Sequence, residues 1–303
     1  ASTDPTEIEE GMAIVKKQLS ARAVRSGEEE LTKANARENG SVKVIDLIRY
    51  VRVASGTGFA FVLFGMGGLI LNGVILLIGW IPVPSPETKA WVMQKVVHYA
   101  FRGFMGYLRG FDLVLGKAEG LEKLPPSGPY ILVANHPSLL DVVLILASIP
   151  RACCIVKPEI LDSIYMRGVS RLAGYIPNTE GEPLIAACVE KLNQGIPLVI
   201  FPEGTRSLPN GLGKFKRSAA WISLKSGYPI VRAVVQCGSP ILMKQWKWYN
   251  VPPHSTELHF KIYDTINPTD FLKGQPCGPI PARRLTDYLR RFYEGELHGA
   301  SFT

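Results

Sequence analysis

Twenty-three consecutive residues without a charged side chain, GFAFVLFGMGGLILNGVILLIGW from Gly58 to Trp80, constrain this chain more than any other feature. A helix needs about 20 apolar residues to cross a hydrocarbon core, so the run is either a membrane element or a deeply buried core helix. Uncharged runs of this length are rare in soluble domains, and a membrane element is the expectation. Before it, SVKVIDLIRYVR (41–52) puts Val44, Ile45, Ile48 and Val51 on one helical face and Lys43, Arg49 and Arg52 elsewhere. That pattern suits a helix lying on an anionic bilayer surface. The positive-inside rule places this basic side in the cytoplasm. A single span would then export the rest of the chain, in conflict with a larger domain that stays on the basic, cytoplasmic side. Gly65, Gly67, Gly68 and Gly73, with Asn72 among them, allow a midway bend, and a bent segment dipping into one leaflet removes the conflict. Pro82, Pro84 and Pro86 close the module.

The sequence divides into a polar helical tail (1–41), membrane-associating helices (42–86) and a larger domain (87–303). The tail is heavily charged, unlike the apolar stretch of a cleavable signal peptide. It reads as one or two exposed helices, broken near Ser26-Gly27 and stopped at Asn39-Gly40. In the larger domain, 87–108 forms an amphipathic helix, with Trp91, Val92, Val96, Val97 and Phe101 on one side and Lys89, Lys95 and Arg102 away from it. Short β-branched runs follow at 130–134, 152–156, 197–201, 229–235 and 257–263. Helical stretches at 138–148, 159–172, 182–194 and 215–226 separate several of them. The alternation predicts an α/β domain with a mixed, largely parallel sheet flanked by helices.

The net charge of +8 admits nucleic acid, an anionic lipid surface or phosphorylated ligands as partners. Nucleic acid is disfavoured, because the basic residues lie beside a membrane-like segment rather than among exposed aromatics. Five cysteines, Cys153, Cys154, Cys188, Cys237 and Cys277, form no CxxC pair and no spaced framework. Neither a metal site nor a disulfide scaffold is expected.

Two clusters carry chemistry. In Asn135-His136-Pro137-Ser138-Leu139-Leu140-Asp141, on one continuous helix, His136 and Asp141 would lie about 140° apart. Pro137 disfavours helical backbone at His136 and suits the first turn of a following helix. His136 can then occupy the loop while Asp141 reaches back to its ring, fixing the tautomer and making a general base. Ser138 is placed to cap the helix or brace the loop. The second cluster, Phe201-Pro202-Glu203-Gly204-Thr205-Arg206-Ser207, also follows an apolar strand. Gly204 and Thr205 can turn backbone amides toward a ligand, Arg206 offers a two-pronged fit to phosphate, and Glu203 can bond an acceptor hydroxyl or orient Arg206. Lys214, Lys216 and Arg217 make one end of the site cationic.

Together the clusters resemble the glycerophosphate and lysophospholipid acyltransferase family (1-acylglycerol-3-phosphate acyltransferase-like), whose hallmark is NHxSxxD followed by FPEGTRS. Lys214 to Ala219 looks like the basic block after FPEGTRS, and Tyr228-Pro229-Ile230-Val231 like the late proline-containing strand. The resemblance covers roughly residues 90 to 265. His136-Pro137-Ser138-Leu139-Leu140-Asp141 with Cys154 to Lys157 is also similar to acyltransferases of bacterial aryl-polyene and related lipid gene clusters. The stretch Ala173-Gly174-Tyr175-Ile176-Pro177-Asn178 lacks the arginine that the family often places there against the acceptor phosphate.

The resemblance implies direct transfer without a cofactor or metal. His136, oriented by Asp141, would deprotonate a lysophospholipid-like hydroxyl, which attacks acyl-CoA or acyl-carrier protein. Asn135, Ser138, Glu203, Gly204, Thr205, Arg206, Lys214 and Lys216 would bind substrate, and amides near Gly204 and Thr205 would hold the oxyanion. The expected setting is a membrane, in bacteria the inner membrane, with the site facing the cytoplasm. A serine lipase is disfavoured because no GxSxG occurs in the chain. A non-catalytic binder of lipid or acyl thioester on the same scaffold is the competing reading.

Overall fold

A computed structural model describes residues 48–73, 75, 85–208, 211–239, 241–244 and 255–298. The readings for the tail and for 42–47 lie outside these residues. The chain divides into two compact units, Ala1–Arg52 and Val53–Thr303, and apart from the first residues of one helix the second carries the features that follow.

Helix α1 (Ile48–Gly73) is long and apolar enough to cross a membrane, with 28% of its most apolar window buried. It runs without interruption, so the bend expected at its glycines does not break it. Those glycines serve close approach instead. A Cβ on Gly68 would lie 2.5 Å from the carbonyl oxygen of Tyr165, and one on Gly56 would meet Leu113 at 3.2 Å. Asn72 donates to the carbonyls of Ile164 (2.8 Å) and Tyr165 (2.9 Å). From Gly56 to Asn72, therefore, the helix lies against the rest of its unit along its length.

Helix α2 (Pro86–Gly110) starts where the Ser85 hydroxyl accepts the Thr88 amide and proline occupies the first turn, positions that suit both residues. It turns Met93, Val97 and Leu108 inward, whereas Trp91 and Val92 are exposed. Of the expected apolar side, Val97 is thus buried and Val96 and Phe101 are half-buried, while Trp91 and Val92 are not. The inward face meets later segments, with Gln94 donating to the Ala173 carbonyl (2.9 Å) and His98 Nδ1 to the Leu146 carbonyl (2.8 Å), while its rings meet α1. Phe59 meets Tyr107 and Phe64 meets Phe104 at ring distances of 5.8 and 5.7 Å.

Among the described residues seven strands follow: β1 (Val114–Glu119), β2 (Ile131–Ala134), β3 (Cys153–Val156), β4 (Ile176–Pro177), β5 (Leu198–Ile200), β6 (Ile230–Cys237) and β7 (Thr256–Ile266). Their order is β1-β7-β6-β2-β5-β3-β4, parallel throughout except for β6 against β7. Central β2 is fully buried on both faces, as parallel strands covered by helices must be. Its alternating residues feed two cores. Leu132 and Ala134 join one with α1, α2 and α3 (Leu140–Ser148); Ile131 and Val133 join the other with α6 (Glu182–Asn193), α7 (Ser218–Ser226) and α9 (Pro279–His298). This is the mixed, largely parallel sheet flanked by helices that the sequence predicts, preceded by an apolar helix. The single helix expected at 159–172 is two, α4 (Pro158–Asp162) and α5 (Arg167–Leu172), and the turn between them receives Asn72. A short α8 (Thr269–Leu272) precedes α9.

Candidate active site

In a parallel sheet, functional groups gather where strands deliver their carboxyl ends. Strands β2 and β5 are neighbours, with Val133 opposite Ile200, so the His136 loop and the Phe201–Ser207 loop emerge side by side. Two reciprocal bonds tie them together: the Ser207 amide donates to the His136 carbonyl (2.7 Å), and the Ser207 hydroxyl accepts the His136 amide (3.3 Å).

Asp141, on the first turn of α3, is fully buried. Its Oδ2 accepts the Ser138 amide at 2.7 Å and lies 3.0 Å from His136 Nδ1. An ionised carboxylate only accepts, so Nδ1 carries the proton and Nε2 is left with its lone pair. The His136 ring stacks on Phe201 with centroids 4.3 Å apart and lines a cavity. Burial pushes the Asp141 carboxyl above its ordinary range. The hydrogen bond and charge of His136, the Ser138 amide and the Arg206 charge pull the other way. Oδ1 has no hydrogen-bond partner among the described residues.

The other expected substrate ligands divide into three groups. Asn135 is 2% exposed and completes a rung of the sheet, donating to the Val235 carbonyl (2.8 Å) and accepting its amide (2.7 Å). Ser138, also buried, donates to the Ile241 carbonyl (2.9 Å) and accepts the Leu140 amide (3.3 Å). Glu203 takes the Ser207 hydroxyl (2.5 Å) on one oxygen and the Gly213 amide (2.7 Å) on the other. These three brace the loops rather than face the cavity, and Glu203 does not orient Arg206. Gly204, Thr205, Arg206 and Lys216 do line the cavity. The Gly204 amide, however, is spent on the Phe201 carbonyl at 2.9 Å, which corrects its expected place in an oxyanion hole and leaves the Thr205 amide. Arg206 Nη1 donates to the carbonyls of Leu242 (2.8 Å) and Met243 (3.0 Å), so only part of its fork is available to a phosphate. Lys214 is exposed and lies off the cavity lining, because the Lys216 amide pins the next turn to the Pro202 carbonyl at 2.7 Å.

The cavity holds about 600 Å³. Its polar lining includes Lys157 and Lys244, which the motif reading did not assign; Lys157, directly after β3, was signalled by its place at a strand end. The apolar lining comes from α1, α2 and α3, with Phe61, Phe64, Phe101, Phe104 and Leu146 among it. A second cavity of about 360 Å³ shares Phe64, Phe101, Phe104, Met166 and Tyr175 with the first. Burial raises the Cys188 thiol to about 12 and Cys237 to about 11, and pushes Cys154, which lines the cavity, upward too. None of these is poised as a nucleophile. Among the described residues, no three His, Cys, Asp or Glu side chains gather as a metal site requires.

Comparison with known proteins fits this geometry. A family model described as Acyltransferase matches residues 117–236, so the class is that of acyltransferases. The 1-acyl-sn-glycerol-3-phosphate acyltransferase alpha of Bos taurus is 32% identical over 237 residues, covering 75% of this chain and 79% of that protein. The chain belongs to the 1-acyl-sn-glycerol-3-phosphate acyltransferase family. A chloroplastic member from Brassica napus is 37% identical over 120 residues, 37% of this chain, and the match spans only 35% of that relative's length. The crystal structure of the acyltransferase PlsC from Thermotoga maritima shares the fold, with a TM-score of 0.63 at 21% identity over 84% of this chain and 99% of that one. A second model, the N-terminal region of the BREX system Lon protease-like protein BrxL, matches residues 1–65, most of which lie outside the described residues.

Proposed function

We propose that this protein transfers a fatty-acyl group from a thioester, acyl-CoA or acyl-carrier protein, to the free hydroxyl of a lysophospholipid such as a 1-acylglycerol-3-phosphate, at a membrane surface. The observation that carries the reading is the His136–Asp141 pair opening onto a cavity that is cationic at the strand ends and apolar along α1 and α2. A lysophospholipid has the same polarity, charged at one end and greasy at the other.

His136 Nε2 takes the proton of the acceptor hydroxyl as its oxygen attacks the thioester carbonyl. The tetrahedral intermediate collapses, the C–S bond breaks, and the departing thiolate recovers the proton from His136. The Thr205 amide is the remaining backbone donor for the oxyanion. Arg206, Lys157 and Lys216 supply positive charge for a phosphate, which offsets the missing arginine at 173–178. No cofactor takes part.

The membrane reading rests on apolar exposure. Phe59, Val62, Met66 and Ile70 on α1 and Trp91 and Tyr99 on α2 are open to solvent. Because α1 is held along its length by α2 and by the turn before α5, it is suited to lie in one leaflet with the catalytic domain rather than to cross alone. This fits a peripheral site on the cytoplasmic face, in bacteria that of the inner membrane.

The test is transfer by purified protein in vesicles, with acyl-CoA and acyl-carrier protein offered against a lysophospholipid panel, wild type beside His136→Ala. Transfer that vanishes in a folded variant supports the reading. Equal activity in both sinks the role of His136, and binding of donor without turnover by the wild type favours the non-catalytic alternative.

A further inference from the structure

The apolar part of the cavity contains two hydroxyls with nothing to bond. Ser170, on α5, is fully buried, its Oγ has no hydrogen-bond partner among the described residues, and it lines the 600 Å³ cavity. A helical serine usually settles such a hydroxyl on the carbonyl four residues back. Here the Met166 carbonyl receives the Ser170 amide at 2.8 Å, and the hydroxyl has no partner of its own. Tyr175 stands on the same wall, its amide bonded to the Ser170 carbonyl at 2.9 Å. Tyr175 lines both cavities, and its phenol bonds to no described residue. Burial holds that phenol well above its ordinary value, so it stays a neutral donor. Met166, Phe101 and Phe104 share the wall, and the protonated thiols of Cys154 and Cys153 lie near the phenol.

A plain hydrocarbon chain in this channel would leave both hydroxyls dry and unpaired, which is the costly arrangement for a polar group. A chain with an oxygen at that depth would satisfy them. We propose that Ser170 and Tyr175 recognise a fatty chain carrying a hydroxyl or keto oxygen along its length. The inference rests on the reading that the cavity receives a substrate's acyl chain, and adds the chemical class of that chain. The oxygen belongs to the chain of the donor or to that of the acceptor, and neither residue touches the reacting atoms, so both act on selection alone. The stretch 173–178, which lacks the arginine expected against a phosphate, places this phenol in the channel.

The test uses the full chain in vesicles. Unsubstituted and hydroxylated hexadecanoyl-CoA, with the hydroxyl at several positions, are offered to lysophosphatidate bearing a plain or a hydroxylated chain. The expected result is a preference of about tenfold in kcat/KM for one hydroxylated species, in the donor arm or the acceptor arm. Ser170→Ala and Tyr175→Phe should each bring that ratio toward one, with no fall in the thermal midpoint, since each removes an unpaired hydroxyl rather than a packing group. Transfer of plain chains with no preference, or variants that lose stability and act on both chains alike, overturns the inference while leaving the acyl-transfer reading intact. If no pair turns over, that reading fails, and displacement of a fluorescent fatty acid by plain and hydroxylated fatty acids decides the inference by itself: equal displacement overturns it.

Discussion

The two ends of the cavity are held by different physics. At the strand ends, Asn135, Ser138, Glu203 and Ser207 each make at least two hydrogen bonds, mostly to backbone. Along α1 and α2, contact is made by rings and by gaps left for them. Phe64 lies against Phe101 and Phe104 at centroid distances of 6.2 and 5.7 Å, and Gly68 admits a carbonyl. A buried hydrogen-bond web fails abruptly, because removing one atom orphans its partners. Apolar packing degrades by increments of area and volume. Under the proposed function, the end assigned to chemistry is therefore built all-or-none, and the end assigned to lipid can drift.

The largest effect tests the web at its centre. Asp141→Asn keeps the shape but removes the charge that holds the His136 tautomer, so transfer should fall by about 10²- to 10⁴-fold. Stability should move the other way. Because the folded carboxyl is raised by burial, the stability it contributes is fully present below the ordinary carboxylate value of about 4 and is lost as pH rises through its elevated folded value. The variant escapes that loss, so its thermal midpoint should match the wild type in acid and exceed it near neutrality. The transfer rate of the wild type should also fall on acidification at a pH above the ordinary carboxylate range, a limb absent from the variant. A midpoint lowered at all pH values would overturn the stability prediction and mean that the carboxylate is a net stabiliser of the web.

Next in size is Ser207→Ala. It strands the Glu203 carboxylate and the His136 amide together, and should cost about 1–3 kcal/mol in denaturant unfolding. Transfer should drop by roughly tenfold as His136 loosens, because small displacements of a catalytic group are felt strongly. Loss of activity without loss of stability would show Ser207 acting on substrate instead of on the loops.

Much of this end was legible because a motif fixes which residues meet. The β-branched runs gave β2 and β5, and their adjacency brings His136 beside Arg206. What the sequence did not disclose is whether a polar side chain faces ligand or backbone. Asn135 and Glu203 look like ligands in a string of letters, yet each is consumed by a partner far along the chain or across a turn. Strand β1 was missed because Gly116, Lys117 and Glu119 blur its alternation; its place comes from pairing with β7, Val114 opposite Thr256. Helix α9 was overlooked although Ala282, Leu285, Leu289 and Tyr293, all buried, recur at helical spacing. The apolar wall has no motif at all, and composition could say that α1 was greasy without saying which face met α2.

A smaller effect probes that wall. Gly68→Val would press a branched side chain against the Tyr165 carbonyl, where even a Cβ stands at 2.5 Å. Overpacking of this kind costs about 1–3 kcal/mol, and the strain should appear as faster proteolysis within 163–168, with transfer reduced only a few-fold. Abrupt loss of all transfer would break the comparison, showing the lipid end to be as tightly coupled as the web.

The smallest effect concerns the thiols, which report whether the cavity wall excludes water. Maleimide needs an accessible thiolate. Cys277 is exposed, whereas Cys153, Cys154 and Cys188 are buried. Burial also keeps Cys154 on the cavity lining in its protonated form. Brief labelling near neutral pH should therefore modify Cys277 first and leave transfer unchanged, by mass spectrometry and assay on the same sample. Early labelling of Cys154, with loss of transfer, would mean that α1 and α2 part readily enough to admit water. The apolar end would then be a moving wall, and its tolerance of substitution would come from opening rather than from graded packing.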